Sequence, residues 1–457
     1  MEKIKRSLEA ANVKLSWRER FSYGCADVYG TLYGNFLSTF ILYFYTDVLG
    51  ISAAIAANIF LIANLVDAVT AISAGPIADK VRTRWGTYRP FCLFGAVPQM
   101  IALVLCFTKI TAGEGTLAIW ALVTYLLVNG CYAFINTAYS TMCSAMTTNG
   151  NERGILNVFK IGGSAAGSLV VSLLALPLVN AIGKGSEAVG YQGAAAVMGL
   201  LSAVMLLIAF FGTKERVMVE KKEKIRVIDG FKMVLKNKPC VMMIFLLMFI
   251  AWTFNFRFGV VMYYCKYYLG NEGLLTGFNT LVSLVGIPAI IPLPGLYKKL
   301  GKKNTMILVA VLTIINGIVF LVAQKNLFLV AIGFILFGIT LNASFSTVWG
   351  MIPDTIEYGE WKTGVRAPGS VVSACAFARK IAIAIATWSV GQFLALFNYS
   401  AELQVQTEAT NMGIYYLNSV PLIIGGILML LAVIPYNLTQ EKFEKILKEI
   451  DARKASE

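Results

Sequence analysis

Apolar runs of about 18 to 29 residues alternate with short polar stretches along nearly the whole chain. A membrane-crossing helix needs about 20 mostly apolar residues. Twelve stretches qualify: Tyr23–Tyr45, Ser52–Gly75, Pro90–Phe107, Leu117–Thr141, Val158–Leu178, Gly193–Phe211, Cys240–Tyr264, Leu275–Leu296, Thr305–Ala323, Leu327–Met351, Gly369–Phe397 and Gly413–Ile434. Within several of them, polar or aromatic residues recur every three or four positions and so share one helical face. Span one has Tyr23, Asp27, Thr31 and Gly34, and span two has Asn64, Asp67 and Thr70. Span four carries Asn129, Tyr132, Asn136 and Tyr139, and span five Asn157, Lys160 and Ser164. Span ten offers Asn342, Phe345 and Trp349, and span eleven Ser373, Phe377, Lys380 and Ala384. One such stripe is ordinary helix–helix glue; six predict a shared wet cavity. An aromatic platform ringed by amides and charges suits a sugar, with its apolar C–H faces and polar edges.

Asp67 stands out because it is the sole charge in the 27 residues from Ile51 to Ile77. Ten residues at ~1.5 Å each put it roughly 15 Å from the end of that stretch, near mid-bilayer. A carboxylate there costs ~2.5–3.5 kcal/mol on insertion scales and marks an ion or substrate path. The other intramembrane charges are Asp27, Lys160, Arg257, Arg379 and Lys380. A pairing of Asp67 with Lys380 in the substrate-free protein would favour both charged forms against desolvation. Two readings stay open for Arg257: it faces the cavity and selects an anionic sugar such as a uronide, or it snorkels to a carbonyl.

Composition fixes the broad class. The chain is 57% hydrophobic and only 14% charged, which with these runs means a polytopic membrane protein. No cleavable signal peptide is expected, since the charged first 20 residues lead directly into span one. Eight dispersed cysteines read as packing residues, and the lack of any histidine removes the commonest general base and metal ligand. No GxSxG or P-loop is present, so neither an enzyme nor a cofactor is expected. The net charge of +14 is a topology signal, not a mark of nucleic-acid binding. Segments on the side of Met1 hold 31 Lys or Arg, whereas the opposite loops hold four: Lys109, Lys184, Lys266 and Lys325. Both termini are therefore expected in the cytoplasm.

The longest internal polar stretch divides the spans six and six. It predicts an N-terminal half at 1–212, a central cytoplasmic loop at 213–238, a C-terminal half at 239–435 and a tail at 436–457. A weak echo links the halves: Gly75-Pro-Ile-Ala-Asp79 with Arg84-Trp-Gly86 after span two, and Gly295-Leu-Tyr-Lys-Lys299-Leu-Gly301 after span eight. Together these features indicate a major-facilitator-type transporter with its site near the midplane between halves. Gly163-Ser-Ala-Ala-Gly167 adds a small-xxx-small face for close helix contact. A tail of about 23 residues after Ile434 is too short for a soluble signalling domain, which argues against a membrane sensor.

Several motifs are similar to those of the glycoside–pentoside–hexuronide:cation symporters, the melibiose permease-like branch of the major facilitator superfamily. They are Ser22-Tyr-Gly-Cys-Ala-Asp27, Tyr43-Phe-Tyr-Thr-Asp47-Val, Arg84-Trp-Gly-Thr-Tyr-Arg89-Pro90, Asn136-Thr-Ala-Tyr139 and Glu152-Arg153. The most specific is Asp354-Thr-Ile-Glu-Tyr358-Gly-Glu360-Trp361-Lys-Thr-Gly364-Val-Arg366, followed by Lys380. The resemblance runs almost end to end. It implies a bacterial inner-membrane symporter, with sugar bound near Tyr132, Asn136, Lys160, Phe345 and Lys380. Tyr139, Trp349 and Arg257 complete the candidate substrate set, while Asp67, Thr70 and Asp27 form the candidate coupling set.

Departures from the family pattern bear on cargo and ion. Lys160 stands where melibiose permease has arginine and Phe345 where it has tryptophan, while its acidic sugar-contacting positions read Thr31 and Asn136. The family's cation binders have a second acid one turn after the first on span two, where this chain has Ala71. Ala133 and Asn64 replace two further polar partners. A proton is thus favoured over sodium as the coupling cation. Arg153 and Arg366 are expected to bridge to Asp354, Glu357 or Glu360 between halves as a cytoplasmic gate, each exposed pair worth under ~1 kcal/mol. The resulting expectation is a symporter of a glycoside, pentoside or uronide, working as a monomer in the lipid bilayer. The alternative is an uncoupled facilitator, or a carrier of a non-sugar amphipathic anion on the same fold.

Overall fold

Inside lipid a backbone must satisfy its own polar groups, which favours helices wherever apolar runs are long. The computed structural model of this chain describes residues 14–78, 81–147, 150–216, 234–363, 368–401, 403, 405–438, 442–443, 445–446 and 449. Side chains at 68, 71–72, 74–76, 150–151, 287, 363 and 368–370 lie outside that description. Among the described residues the regular secondary structure is helical, apart from one isolated bridge between Thr83 and Gly86, and turns and irregular segments join the helices. In chain order the helices are α1 (Trp17–Tyr43), α2 (Ala53–Ala78), α3 (Arg89–Cys106), α4 (Glu114–Met146), α5 (Gly150–Gly183), α6 (Glu187–Gly212), α7 (Lys238–Tyr263), α8 (Leu274–Ile290), α9 (Leu293–Ala323), α10 (Leu327–Thr363), α11 (Pro368–Leu396) and α12 (Glu408–Val433).

Nine of these among the described residues, α3–α7 and α9–α12, are long and apolar enough to cross a membrane. The apolar part of α2, Ala53–Asp67, and α8 are shorter. The expected span Leu275–Leu296 is interrupted: α8 stops at Ile290, and the chain breaks again inside α9 at Gly301, with φ 77° and ψ 161°. Pro292 and Pro294, which lack backbone donors, punctuate the first break.

Two compact units divide the chain. One is Met1–Lys222 with Ser400–Gln404, and the other is Glu223–Tyr399 with Val405–Glu457. In the first, α1 packs on α5 and α6, α3 on α4 and α6, and α2 on α4. In the second, α7 packs on α11 and α12, α9 on α10 and α12, and α8 on α10. The order of pairing is the same, so each unit is built on one plan.

A local detail repeats as well. α1 runs into a π-helical turn at Phe44–Val48, closed by Leu49 N–H to Phe44 O at 2.9 Å, and Gly50 then takes φ 77°. α7 runs into the same turn at Tyr264–Tyr268, closed by Leu269 N–H to Tyr264 O at 3.0 Å, and Gly270 takes φ 73°. Glycine reaches this left-handed region without a Cβ penalty.

Candidate functional site

In the N-terminal unit, glycines set the site by letting helices approach. A Cβ on Gly163 would run into the Gly24 carbonyl, and one on Gly24 would lie 2.7 Å from Phe159 O. A Cβ on Gly167 would lie 3.0 Å from Val28 O. The small-xxx-small stretch of α5 is therefore a backbone-to-backbone contact with α1. Its neighbours Lys160 and Ser164 are carried against the polar stripe of α1. Thr31 Oγ1 lies 3.1 Å from Ser164 Oγ and donates to Asp27 O at 2.8 Å. Asp27 lies within electrostatic reach of Lys160. Lys160 Nζ also sits 5.5 Å from the Tyr139 ring centre, and Tyr139 packs on Tyr23 at 4.8 Å. Asp27, expected in the coupling set with Asp67, stands on α1 one turn before Thr31.

Asp67 occupies a different part of the same unit. It is half-buried on α2, within electrostatic reach of Tyr33 on α1 and Tyr125 on α4. Tyr33 donates to Asn129 Oδ1 at 2.8 Å, and its ring stacks on Tyr132 at 4.7 Å. Asn129 in turn donates to Tyr125 O at 2.9 Å. Thr70 Oγ1 donates to Val66 O at 2.9 Å, which leaves its oxygen able to accept from or ligate a guest. Asn136 is half-buried on α4, one turn from both Tyr132 and Tyr139. Tyr132 thus links an aromatic platform to the acid, and the α4 stripe runs between the two carboxylates.

The C-terminal unit holds the remaining candidates. Phe345 is half-buried on α10 with its ring 6.1 Å from Phe254, Trp349 is 42% exposed, and Lys380 is half-buried on α11. Arg257 differs from all of them. It is 2% exposed, and its guanidinium carbon lies 4.4, 4.5 and 5.1 Å from the ring centres of Phe320, Phe334 and Phe337. None of its guanidinium nitrogens has a hydrogen-bond partner among the described residues. Neither sequence reading describes it: the side chain is boxed in by rings within its own unit.

The charged ends of the helices carry the gate candidates. Asp354 has a partner in its own unit, Lys302, whose Nζ lies 2.7 and 2.8 Å from the carboxylate oxygens and 2.9 Å from Gly350 O. Arg153 Nε donates to Thr147 O at 2.9 Å, and its neighbour Glu152 pairs with Arg20 at 2.8 Å. Glu357 and Glu360 are half-buried on α10, and Arg366 lies outside the described residues.

One device was hidden in the expected central loop. Glu215 accepts from the backbone N–H groups of Thr87, Tyr88 and Arg89, each at 2.8 Å. It satisfies donors at the start of α3 that have no partner within the helix. Gly86, at φ 118°, is required there because a Cβ would fall 2.7 Å from the carboxylate. Arg89 reaches Phe210 O at 2.7 Å, and Arg216 pairs with Glu19 at 2.7 Å. The Arg84-Trp-Gly-Thr-Tyr-Arg89-Pro90 motif is thus a clasp around the end of α6. Lys302 and Glu215 both sit in basic runs, where no sequence signal set them apart from topology-determining charge.

Comparison with known proteins agrees with this architecture. Residues 22–440 match the family model described as MFS/sugar transport protein. The chain is 34% identical to the isoprimeverose transporter of Lactiplantibacillus pentosus, over 96% of this chain and 92% of that protein. It is 33% identical to the putative glycoside/cation symporter YagG of Escherichia coli K12, over 97% of each. The glucuronide carrier protein homolog of the same organism is 33% identical, again over 97% of each. Among solved structures, the nucleoside transporter NupG (D323A mutant) superposes with a TM-score of 0.65 at 14% identity, covering 92% of this chain and 98% of that one. A bacterial homologue of the lysosomal transporter Spinster, inward-facing and unoccupied, gives 0.67 at 11% identity, covering 95% and 99%. Those two likenesses concern the fold. The chain is an integral, multi-pass inner-membrane transporter, not an enzyme, and belongs to the glycoside–pentoside–hexuronide symporter family of the major facilitator superfamily.

Proposed function

We propose that this protein imports a sugar or glycoside by proton-coupled symport, through alternating access across twelve spans with both termini in the cytoplasm. The two six-helix halves, 1–212 and 239–435, are read as the moving parts, joined by the loop at 213–238. The observation that carries the sugar reading is the face on α1, α4 and α5. Tyr132 stacks on Tyr33, Lys160 lies over Tyr139, and Asn136 sits between the two aromatics. Rings offer C–H surfaces a platform, and the amide and ammonium offer hydroxyls their partners. Phe345, Trp349 and Lys380 extend the same chemistry on α10 and α11.

The proton reading rests on Asp67. It lies within electrostatic reach of the Tyr33 and Tyr125 phenols, and the sequence position one turn on reads Ala71 where the family's cation binders have a second acid. A hard cation such as sodium wants several oxygen ligands and more than one negative charge; one carboxylate suffices for a proton. Arg153, Asp354, Glu357, Glu360 and Arg366 are proposed to bias which side opens. The test is uptake into proteoliposomes of a panel of neutral glycosides and uronides under imposed proton or sodium gradients. Accumulation should follow the proton gradient and vanish in Asp67→Asn, while sugar exchange without a gradient survives. Accumulation by Asp67→Asn that still tracks the proton gradient would remove Asp67 from the coupling role.

A further inference from the structure

α10 runs for 37 residues. At ~1.5 Å per residue it is roughly 55 Å long, well beyond the ~30 Å apolar core of a bilayer. Its far end, from Asp354 to Trp361, holds the gate candidates Asp354, Glu357 and Glu360. A helix end that outruns the membrane opens readily unless other residues pack on it. The described part of the C-terminal tail supplies that packing within the same unit. Tyr436, Leu438 and Ile446 are buried, and Phe443 is half-buried. Phe443, Ile446 and Glu449 lie at intervals of three, neighbouring positions on a helix surface, whereas Lys442 and Lys445 are exposed.

The tail meets both α9 and α10. Trp361 Nε1 donates to Glu449 Oε2 at 2.6 Å, and the Phe443 ring centre lies 5.9 Å from Lys302 Nζ. Lys442 Nζ stands 6.0 Å from the Tyr358 ring centre, and Tyr358 packs on Trp361 at 5.6 Å. Lys302 directly follows the Gly301 break in α9 and holds the Asp354 carboxylate. Beside it, Lys303 donates to Ile434 O at 2.8 Å, at the root of the tail. The tail therefore touches the break in α9 and the projecting end of α10 together. We propose that it is a strap joining the two helices, and that Glu449, through Trp361, is a positioning residue for the cytoplasmic gate. This inference rests on the alternating-access reading above. An indole N–H only donates and a carboxylate only accepts, so the pair is complementary and orients the last turns of α10. A docked strap holds the gate acids in one register; a loosened one frees them and changes how readily the empty carrier reopens.

The test uses the full chain as wild type, Glu449→Ala, Glu449→Gln and Trp361→Phe. Amide hydrogen exchange over Asp354–Trp361, read in detergent, should quicken about three- to tenfold in Glu449→Ala and Trp361→Phe, the effect of losing one net hydrogen bond. Glu449→Gln keeps an acceptor and should stay near wild type. Transport in proteoliposomes should separate in the same two variants. Net sugar efflux, which needs the empty carrier to reorient, should change about threefold or more relative to sugar exchange, which does not. Unchanged amide exchange shows that no strap forms and overturns the proposal. Faster amide exchange with an unmoved efflux-to-exchange ratio makes the contact structural only, and overturns the positioning role. If wild type moves no sugar, the transport reading fails, and the amide measurement alone decides whether the strap exists.

Discussion

Two intramembrane cations in equivalent architectures are handled by different chemistry. Each unit pairs its helices in the same order, yet Lys160 on α5 is half-buried over the single ring of Tyr139, whereas Arg257 on α7 is buried among three phenylalanine rings. One ring beside an ammonium leaves its N–H groups partly accessible. Three rings hold a guanidinium by their negative faces while excluding both water and guests. The difference separates a partly accessible cation from one built into packing. A bare count of charges in the membrane misses this, because it weights both cations alike.

The strongest way to break the comparison is to force α1 and α5 apart. Gly163→Leu places a side chain where the Gly24 carbonyl lies. Overpacking costs about 1–3 kcal/mol even where neighbours adjust, and a backbone carbonyl adjusts little. We expect loss of sugar uptake and a large drop in melting temperature in detergent, with Gly162→Leu, whose Cβ direction is open, nearly silent. Equal effects at the two positions would disprove the close contact.

A paired substitution sharpens the contrast directly. Lys160→Met removes the half-buried ammonium from the face of the Tyr139 ring and should destabilise the protein by about 2 kcal/mol. Arg257→Met puts an apolar chain of similar length into an apolar box, which is commonly neutral or stabilising. Thermal unfolding of the two variants side by side reads the difference. Arg257→Met melting well below Lys160→Met would show that the ring cage depends on its charge.

The smallest effect is expected at the loops before α3 and in α9, which also differ between units. Glu215 serves three backbone donors in the first, whereas Lys302 joins Asp354 and the Gly350 carbonyl in the second. Glu215→Ala strands those donors near the end of a helix, where water recovers part of the loss, so about 1–2 kcal/mol is expected. Hydrogen exchange should rise at Thr87, Tyr88 and Arg89, while the α9 start is unaffected. Unchanged exchange at those amides would show that the clasp is not formed in solution.

Much of the fold was legible in particular stretches. The runs around Leu327–Met351 and Gly413–Ile434 could only be helices, and α10 and α12 cover them. The α4 stripe of Asn129, Tyr132, Asn136 and Tyr139 stands on one helix. One legible signal went unused: Tyr43-Phe-Tyr-Thr-Asp-Val-Leu-Gly50 and Tyr263-Tyr-Cys-Lys-Tyr-Tyr-Leu-Gly270 share their ends, and both form the π turn. The start of α9 departs from the expected span boundaries, because Pro292 and Pro294 interrupt the apolar stretch Leu275–Leu296, while Gly301 breaks the helix in the lysine run that follows.

Hydropathy and three-to-four-residue spacing are local properties, and they alone determined the helices, the polar stripes and the solitary place of Asp67. Which stripe meets which was decided by helix packing between residues far apart in the sequence. Thr31 and Ser164 are 133 positions apart and are brought together where three glycines lack a Cβ. Arg257 and its rings lie on three helices that composition treats as interchangeable. A charge is written in the chain, but the rings and carbonyls that surround it are assembled only once the helices have packed.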